Sequence, residues 1–88
     1  MEYEWDPEKA AANLRKHGIA FEQVRAFEWS GALIRPDERC PYGEQRFYAL
    51  GKVEERIFAL IFVRRGGIVR VISFRKANDR EKRRYEEG

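Results

Sequence analysis

Helical and strand periodicities alternate along the first part of the chain. It opens with EYEW, an alternating and aromatic-rich stretch that predicts a short strand. Next comes DPEKAAANLRKHG, which predicts a helix. Asp6 is a good N-cap, Pro7 suits the first helical position, and Gly18 supplies the left-handed residue that ends many helices. A strand followed by a well-capped helix is therefore predicted for residues 2–18.

Another helix and a strand are predicted from the rest of the first half. The first helix has a thin apolar face of Ala10, Ala11 and Leu14 beside a polar stripe of Lys9, Asn13 and Lys16. A second short helix is predicted from Phe21 to Trp29, with Val24 and Phe27 facing inward. A strand around residues 32–35 follows, and then a turn-rich loop.

The second half has the pattern of three long strands and a closing helix. EQRFYALGK alternates between two faces, RIFALIFV is apolar on both faces, and IVRVISFRK follows the turn signal RRGG. These strands predict an antiparallel meander. Asn78 is the predicted cap of the last helix, and Glu81 stands where a capping box requires an acidic residue. The fold class predicted is α+β: a small domain spanning residues 1–88, with an antiparallel sheet, two N-terminal helices and a C-terminal helix.

Composition restricts the class of protein. The 88 residues fit one domain, and 43% hydrophobic residues with 6 Phe, 4 Tyr and 2 Trp suffice for a core. No apolar stretch is long enough for a membrane span, and the start lacks the pattern of a signal peptide. Cys40 has no second cysteine to pair with, and together with the one histidine it cannot close a zinc site. We expect a soluble protein of a reducing cytoplasm, without a metal or other cofactor and without a membrane partner.

Charge is distributed unevenly between the halves. Residues 1–44 contain 6 Lys/Arg and 9 Asp/Glu, whereas residues 45–88 contain 12 and 6, so a net −3 is followed by a net +6. A basic C-terminal half is typical of proteins that bind RNA, DNA or an acidic protein segment. Ordinary solvated faces explain the same asymmetry equally well, so charge alone does not decide.

Two stretches resemble a known family. They are EWDPEKAAANLRKHGIAFEQV near the start and RVISFRKANDREKRRYE near the end, and together they resemble the BrnT family of bacterial toxins. The matching positions are Trp5, Asp6, Lys9, Asn13, Lys16, His17, Gly18, Phe21, Glu22, Glu44, Arg46, Gly51, Arg70, Ile72, Ser73, Arg75, Ala77, Glu81 and Tyr85. The chain departs from the family pattern at Ala20, which weakens a helix cap, and at residues 29–31, where the family commonly has an Asp.

The resemblance implies a RelE-like fold and a type II toxin-antitoxin system. It implies a ribonuclease toxin that inhibits translation and is neutralised by a BrnA-like antitoxin with a ribbon-helix-helix DNA-binding part. Operator DNA is then a partner only through the antitoxin complex. It also makes Glu44 and Arg46 candidates for the catalytic site, in a supporting role.

RNA cleavage without a metal needs a proton acceptor, a proton donor and cations that hold the phosphate. Arg70 and Arg75 are the best phosphate-binding candidates, because guanidinium groups bind phosphate in a bidentate fork. Five positions separate them, so they face opposite sides unless the strand bends. Alternatively, one of them pairs with Glu44 or Glu81 and covers the sheet with its stem.

Other candidates have a structural alternative of similar weight. His17 has the pKa range of an acid-base catalyst, but it also suits the last turn of a helix, and Lys16 beside it either donates to phosphate or is solvated. Tyr85 either stacks an RNA base or anchors the last helix, and the anchor is favoured. The remaining RNA-binding candidates are Arg64, Arg65, Arg80, Arg83 and Arg84.

The resemblance to the BrnT family, together with the basic C-terminal half, therefore implies a metal-independent endoribonuclease toxin. The rival hypothesis is a non-catalytic basic module that binds nucleic acid or an acidic protein.

Overall fold

The structure is a computed structural model that describes residues 1–39 and 43–88, so the loop thiol of Cys40 lies outside the described residues. The strands are β1 (Glu2–Glu4), β2 (Phe27–Asp37), β3 (Arg46–Val53), β4 (Arg56–Arg65) and β5 (Ile68–Lys76). The α-helices are α1 (Pro7–His17) and α2 (Asp79–Glu87), and a 3₁₀ helix spans Phe21–Ala26. The mixed α+β class predicted from the sequence is confirmed.

The five strands form one sheet in the order β1-β5-β4-β3-β2. Strands β2 to β5 pair antiparallel in sequence order. The meander predicted for β3, β4 and β5 is confirmed, and β2 adds a fourth strand to it. The prediction of an antiparallel sheet is wrong for β1, which pairs parallel with the outer edge of β5, Tyr3 opposite Val69. A parallel neighbour needs a long connection, and here α1, the 3₁₀ helix and the other three strands lie between β1 and β5 in the chain.

The prediction of a second N-terminal α-helix over Phe21–Trp29 is wrong. The 3₁₀ helix ends at Ala26, and β2 begins at Phe27. Val24 and Phe27 are both buried, as predicted, but their spacing of three residues fits a 3₁₀ turn as well as an α-helix. Phe27 and Trp29 then pack on the same side with the two-residue period of a strand, their rings 4.9 Å apart.

Helix α1 has the predicted ends but a different buried face. Asp6 accepts a hydrogen bond from the Glu8 amide, and Gly18 ends the helix at a φ of 72°. Asn13, expected on a polar stripe, is buried, whereas Leu14, expected on the apolar face, is 51% exposed. The Asn13 side chain donates to the carbonyls of Ile19 and Phe74 and accepts from the Phe74 amide. A buried amide thus joins α1 to β5.

The sheet curls around an aromatic core on the face covered by α1. The indole N–H of Trp29 on β2 donates to the hydroxyl of Tyr3 on β1, at 2.8 Å, although these are the two edge strands. In a flat sheet the edges of five strands are about 19 Å apart, so this contact requires strong curvature. The core residues beneath it include Phe21, Phe62 and Phe74, which are fully buried.

Helix α2 covers the opposite face of the sheet. The capping box between Asn78 and Glu81 is present, as predicted. The helix begins just after β5, and its C-terminal end lines a hollow with Leu33 and Ile34 of β2, so it crosses the strands. Within the described residues, no helix is long and apolar enough to cross a membrane.

Candidate functional site

A bulge in β5 places the two leading arginines on the same face of the sheet. Arg70 pairs with Val63 of β4 and Arg75 pairs with Ala59, and the register shifts between these pairs. Val63 and Ala59 are four residues apart on a regular strand, so they share a face, and their partners share it too. The shift accommodates one extra residue, Ile72. The bend that a joint role for Arg70 and Arg75 requires is therefore present.

The bulge also sets the spacing of the two arginines. Four residues of β4 separate their partner positions, which corresponds to about 13 Å along the strand. Both side chains are 27% exposed. At this spacing they suit two separate phosphate groups along one strand better than a single phosphate.

Arg75 lies in a groove of about 460 Å³ between the start of α2 and strands β2 and β3. The lining residues are Arg35, Pro36, Asp37, Arg39, Tyr48, Arg75, Asn78, Arg80, Glu81 and Arg84. The groove is therefore lined by five arginines and only two carboxylates. Because both carboxylates are hydrogen-bonded to arginines, the groove is an open, strongly cationic surface suited to an anionic ligand.

A hydrogen-bond network around Glu81 forms one wall of the groove. The Glu81 side chain is 8% exposed, and its oxygens accept from Arg75 Nη1 and Nη2 at 2.8 and 3.0 Å. The Tyr48 hydroxyl and the Asn78 amide also donate to it. Burial alone would raise the pKa of Glu81, but the hydrogen bonds from Arg75, Tyr48 and Asn78 outweigh it and lower the pKa to about 2. Glu81 is therefore ionised and fully engaged.

Asp37 and Arg39 form the second ion pair of the groove. Asp37 is 7% exposed and binds the guanidinium of the exposed Arg39 at 2.9 and 3.0 Å. Hydrogen bonding to Arg39 is the main cause of the lowered pKa of Asp37. Asp37 is therefore ionised, and it holds the Arg39 guanidinium at the rim of the groove.

Arg70 lies in a smaller neighbouring hollow of about 210 Å³ that Arg46, Arg65 and Glu44 also line. Arg70 bonds Glu4 at 3.0 Å, and Arg65 bonds Glu44 at 3.0 and 3.1 Å. The hydrogen bond from Arg65 is the main cause of the lowered pKa of Glu44. Each of these carboxylates is engaged by an arginine, so neither is an obvious proton acceptor.

The candidates on α2 divide by the direction they face. Arg80 and Arg84 line the groove, whereas Arg83 is exposed and does not line it. Tyr85 is half-buried and lines a separate cleft near the β3–β4 turn, and its hydroxyl lies 3.9 Å from the position a Cβ would take at Gly31. This contact fits the anchoring role favoured for Tyr85. Arg64 is exposed near the β4–β5 turn and lines neither the groove nor the hollow beside it.

Lys16 and His17 end α1, which packs on the opposite face of the sheet from α2. Neither residue lines the groove. Burial lowers the pKa of His17 below 6.5, with smaller contributions from the charges of Lys16 and Arg75. His17 is thus predominantly neutral at pH 7, but the structure does not bring it into the groove.

The sequence did not single out five of the groove residues: Arg35, Pro36, Asp37, Arg39 and Tyr48. In β3, Tyr48 lies two residues after Arg46 and therefore on the same face. Extending that pairing to β2 sets Arg35 opposite Tyr48 and Asp37 opposite Arg46. The pairing of β2 with β3 would therefore have identified these residues, but this pairing can be predicted only once the length of β2 is known.

A metal site is not evident in the described parts of the chain, where no group of three His, Cys, Asp or Glu side chains is arranged to hold an ion.

The sequence model of one protein family matches residues 5–81, and that family is described as the ribonuclease toxin, BrnT, of type II toxin-antitoxin systems. The match includes every groove residue except Arg84. No curated protein matches the chain.

Proposed function

The chain belongs to the BrnT family of ribonuclease toxins from type II toxin-antitoxin systems, and we propose that it is a metal-independent endoribonuclease whose cleavage of RNA inhibits translation. The observation that carries the proposal is the bulge in β5, which aligns Arg70 and Arg75 on the face that holds the cationic groove. We further propose that its fold is RelE-like and that it acts in the cytoplasm.

The arginines support a cleavage mechanism based on charge. In metal-free cleavage the 2′-oxygen of one nucleotide forms a bond to the adjacent phosphorus while the bond from phosphorus to the 5′-oxygen breaks. The 2′-hydroxyl loses its proton, and the departing oxygen gains one. Negative charge builds on the phosphate oxygens in between, and Arg75 in the groove is positioned to stabilise it. Arg70 and Arg46 hold another phosphate of the same strand in the adjoining hollow.

The remaining candidates have supporting roles in this proposal. Arg80 and Arg84 bind the RNA backbone along the groove, and Arg65 contributes from the adjoining hollow. Arg64 and Arg83 are more distant contacts, whereas Tyr85 mainly anchors α2. Lys16 and His17 end α1 and do not line the groove, so they are second-rank candidates, and water in the open groove takes the proton of the 2′-hydroxyl in this proposal.

Membership of a toxin-antitoxin family implies an antitoxin partner. We propose that this antitoxin is BrnA-like, with a ribbon-helix-helix part, and that operator DNA is bound only by the complex. The cationic groove supports direct neutralisation, since a protein that presents carboxylates there competes with RNA for the same arginines.

The test is RNA cleavage by purified protein in excess chelator. We expect Arg75→Ala to lower kcat/KM by about 10² to 10³, the usual cost of removing one transition-state donor, and Arg70→Ala to lower it less. Arg15→Ala removes the same charge from an exposed position on α1 and serves as the control.

Three outcomes contradict the proposal. Cleavage that stops when the chelator is added contradicts metal independence, and cleavage that survives both substitutions contradicts the site. Tight RNA binding without cleavage, together with normal growth of cells that express the chain alone, favours a non-catalytic basic module instead.

A further inference from the structure

Glu81 has no free lone pair with which to act as a base, because hydrogen bonds occupy both of its oxygens. A carboxylate has about four lone-pair positions. One oxygen of Glu81 accepts from Arg75 Nη1 and the Asn78 amide, and the other accepts from Arg75 Nη2 and the Tyr48 hydroxyl. A group with all four positions occupied orients its partners rather than exchanging protons.

The two bonds to Glu81 leave a defined part of Arg75 available. A guanidinium has five N–H donors. Glu81 takes one from each Nη, and the Lys76 carbonyl takes another from Nη1 at 3.4 Å. The donors that remain are Nε–H and the second hydrogen of Nη2, which lie side by side on one edge of the plane. Neither of these two donors is hydrogen-bonded to an acceptor among the described residues. Together they form the fork that binds phosphate bidentately.

The carboxylate is itself held from two elements. Glu81 is the third residue of α2, and the reciprocal bonds of the capping box with Asn78 are both 2.9 Å long. Tyr48 approaches from β3, with the Arg35 guanidinium carbon 5.7 Å from the centre of its ring. Burial, together with the bond to Glu81, raises the pKa of Tyr48 to about 12, so its hydroxyl remains a donor at neutral pH.

We propose that Glu81 and Tyr48 are positioning residues, which hold the Arg75 guanidinium so that its Nε and Nη2 edge presents a ready phosphate-binding fork to the groove. The inference rests on the proposed function and deepens it. It assigns to the groove a phosphodiester ligand, and it makes the orientation of Arg75 depend on the docking of α2 onto β3.

The test is a double-mutant cycle of Glu81→Gln with Arg75→Ala, measured by RNA cleavage. Glutamine keeps the shape of the side chain but cannot accept from both Nη groups of Arg75. In the wild-type background we expect Glu81→Gln to lower kcat by roughly tenfold to a hundredfold with little change in KM. With Arg75→Ala present, the same substitution should have almost no further effect, because it acts through Arg75.

Tyr48→Phe provides a second variant with less risk to folding. It removes one hydroxyl from the network, and we expect a loss of kcat of about threefold to tenfold, again only while Arg75 is present. Glu86→Gln removes an exposed carboxylate from the same helix and should leave the activity unchanged. If Glu81→Gln reduces cleavage by the same factor with and without Arg75, the positioning role is wrong.

A second measurement separates this inference from the proposed function. An all-deoxy oligonucleotide lacks the 2′-hydroxyl and cannot be cleaved, but it presents the same phosphates. In NMR spectra of the arginine Nε–H groups, the Arg75 resonance is identified by its absence in Arg75→Ala. We expect this resonance to shift as the oligonucleotide is added. Glu81→Gln should make that shift smaller.

If the protein cleaves no RNA but the Arg75 resonance still shifts, the proposed function is wrong and the phosphate-binding fork is supported. An Arg75 resonance that does not respond to the oligonucleotide overturns the inference, even in a protein that cleaves RNA.

Discussion

Acid should destabilise this protein in part through Glu81, and Glu81→Gln should remove that contribution. The folded pKa of Glu81 is about 2 and its ordinary value is 4.5. A lowered pKa stabilises the folded state above the unfolded value, and this stabilisation is lost as the pH falls through the folded value. The window for Glu81 is therefore from about pH 5 down to about pH 2.

The size of the effect follows from the two pKa values. Each pH unit between them corresponds to about 1.36 kcal/mol, so the whole contribution is roughly 3 kcal/mol, of which roughly 2 kcal/mol is lost by pH 3. The conversion is justified because the side chain is 8% exposed and solvent screens the ion pair with Arg75 only weakly. At pH 7 the substitution itself should cost about 1.5–3 kcal/mol, since it leaves Arg75 without its charged partner.

The assay is urea denaturation at pH 7, 5, 4 and 3, followed by circular dichroism. Other carboxylates titrate in both proteins, so the quantity of interest is the gap between wild type and Glu81→Gln. This gap should shrink by about 2 kcal/mol between pH 7 and pH 3. Glu86→Gln is the matched control, because it removes an exposed carboxylate from the same helix. Parallel loss of stability in wild type and Glu81→Gln would refute the buried ion pair.

Two further substitutions test how the sheet is held. Asn13→Ala should lower the free energy of unfolding by about 3 kcal/mol, because it leaves buried backbone groups of Ile19 and Phe74 without partners; a loss under 1 kcal/mol in urea denaturation would contradict this. Gly51→Ala should cost about 1–3 kcal/mol, because its Cβ would lie 2.6 Å from Cζ of Phe27. Combining it with Phe27→Leu should cost less than the sum of the two single losses, and strict additivity would argue against the clash.

The elements with strong local signals were predictable from the sequence. Asp6, Pro7 and Gly18 define α1, and the capping box of α2 was visible in the spacing of Asn78 and Glu81. Phe21–Trp29 was not predictable in the same way, because an apolar spacing of three residues is shared by α and 3₁₀ helices. The spacing of apolar residues predicts the type of secondary structure only where it fits a single period.

The candidate site depended on non-local pairing that the sequence does not display. The spacing of Arg70 and Arg75 indicated opposite faces, and only the register against β4 reveals the bulge. The burial of Asn13 is a tertiary effect of the same kind, since its partners include Phe74, which is 61 positions away. Composition could indicate a basic surface, but the choice of which arginines meet required the fold.

The carboxylates around the groove explain how so many arginines are useful in one place. Free arginine side chains lose about 2 kcal/mol of rotamer entropy each when a ligand orders them, and neighbouring positive charges repel. Asp37 and Glu81, both nearly buried, each hold one guanidinium through two nitrogens, and Glu4 holds Arg70 in the adjoining hollow. Folding thus orders these arginines before any ligand binds. The acidic residues therefore reduce the net charge of the surface while increasing its ability to recognise one geometry, which is the property that the proposed phosphodiester-cleaving site needs.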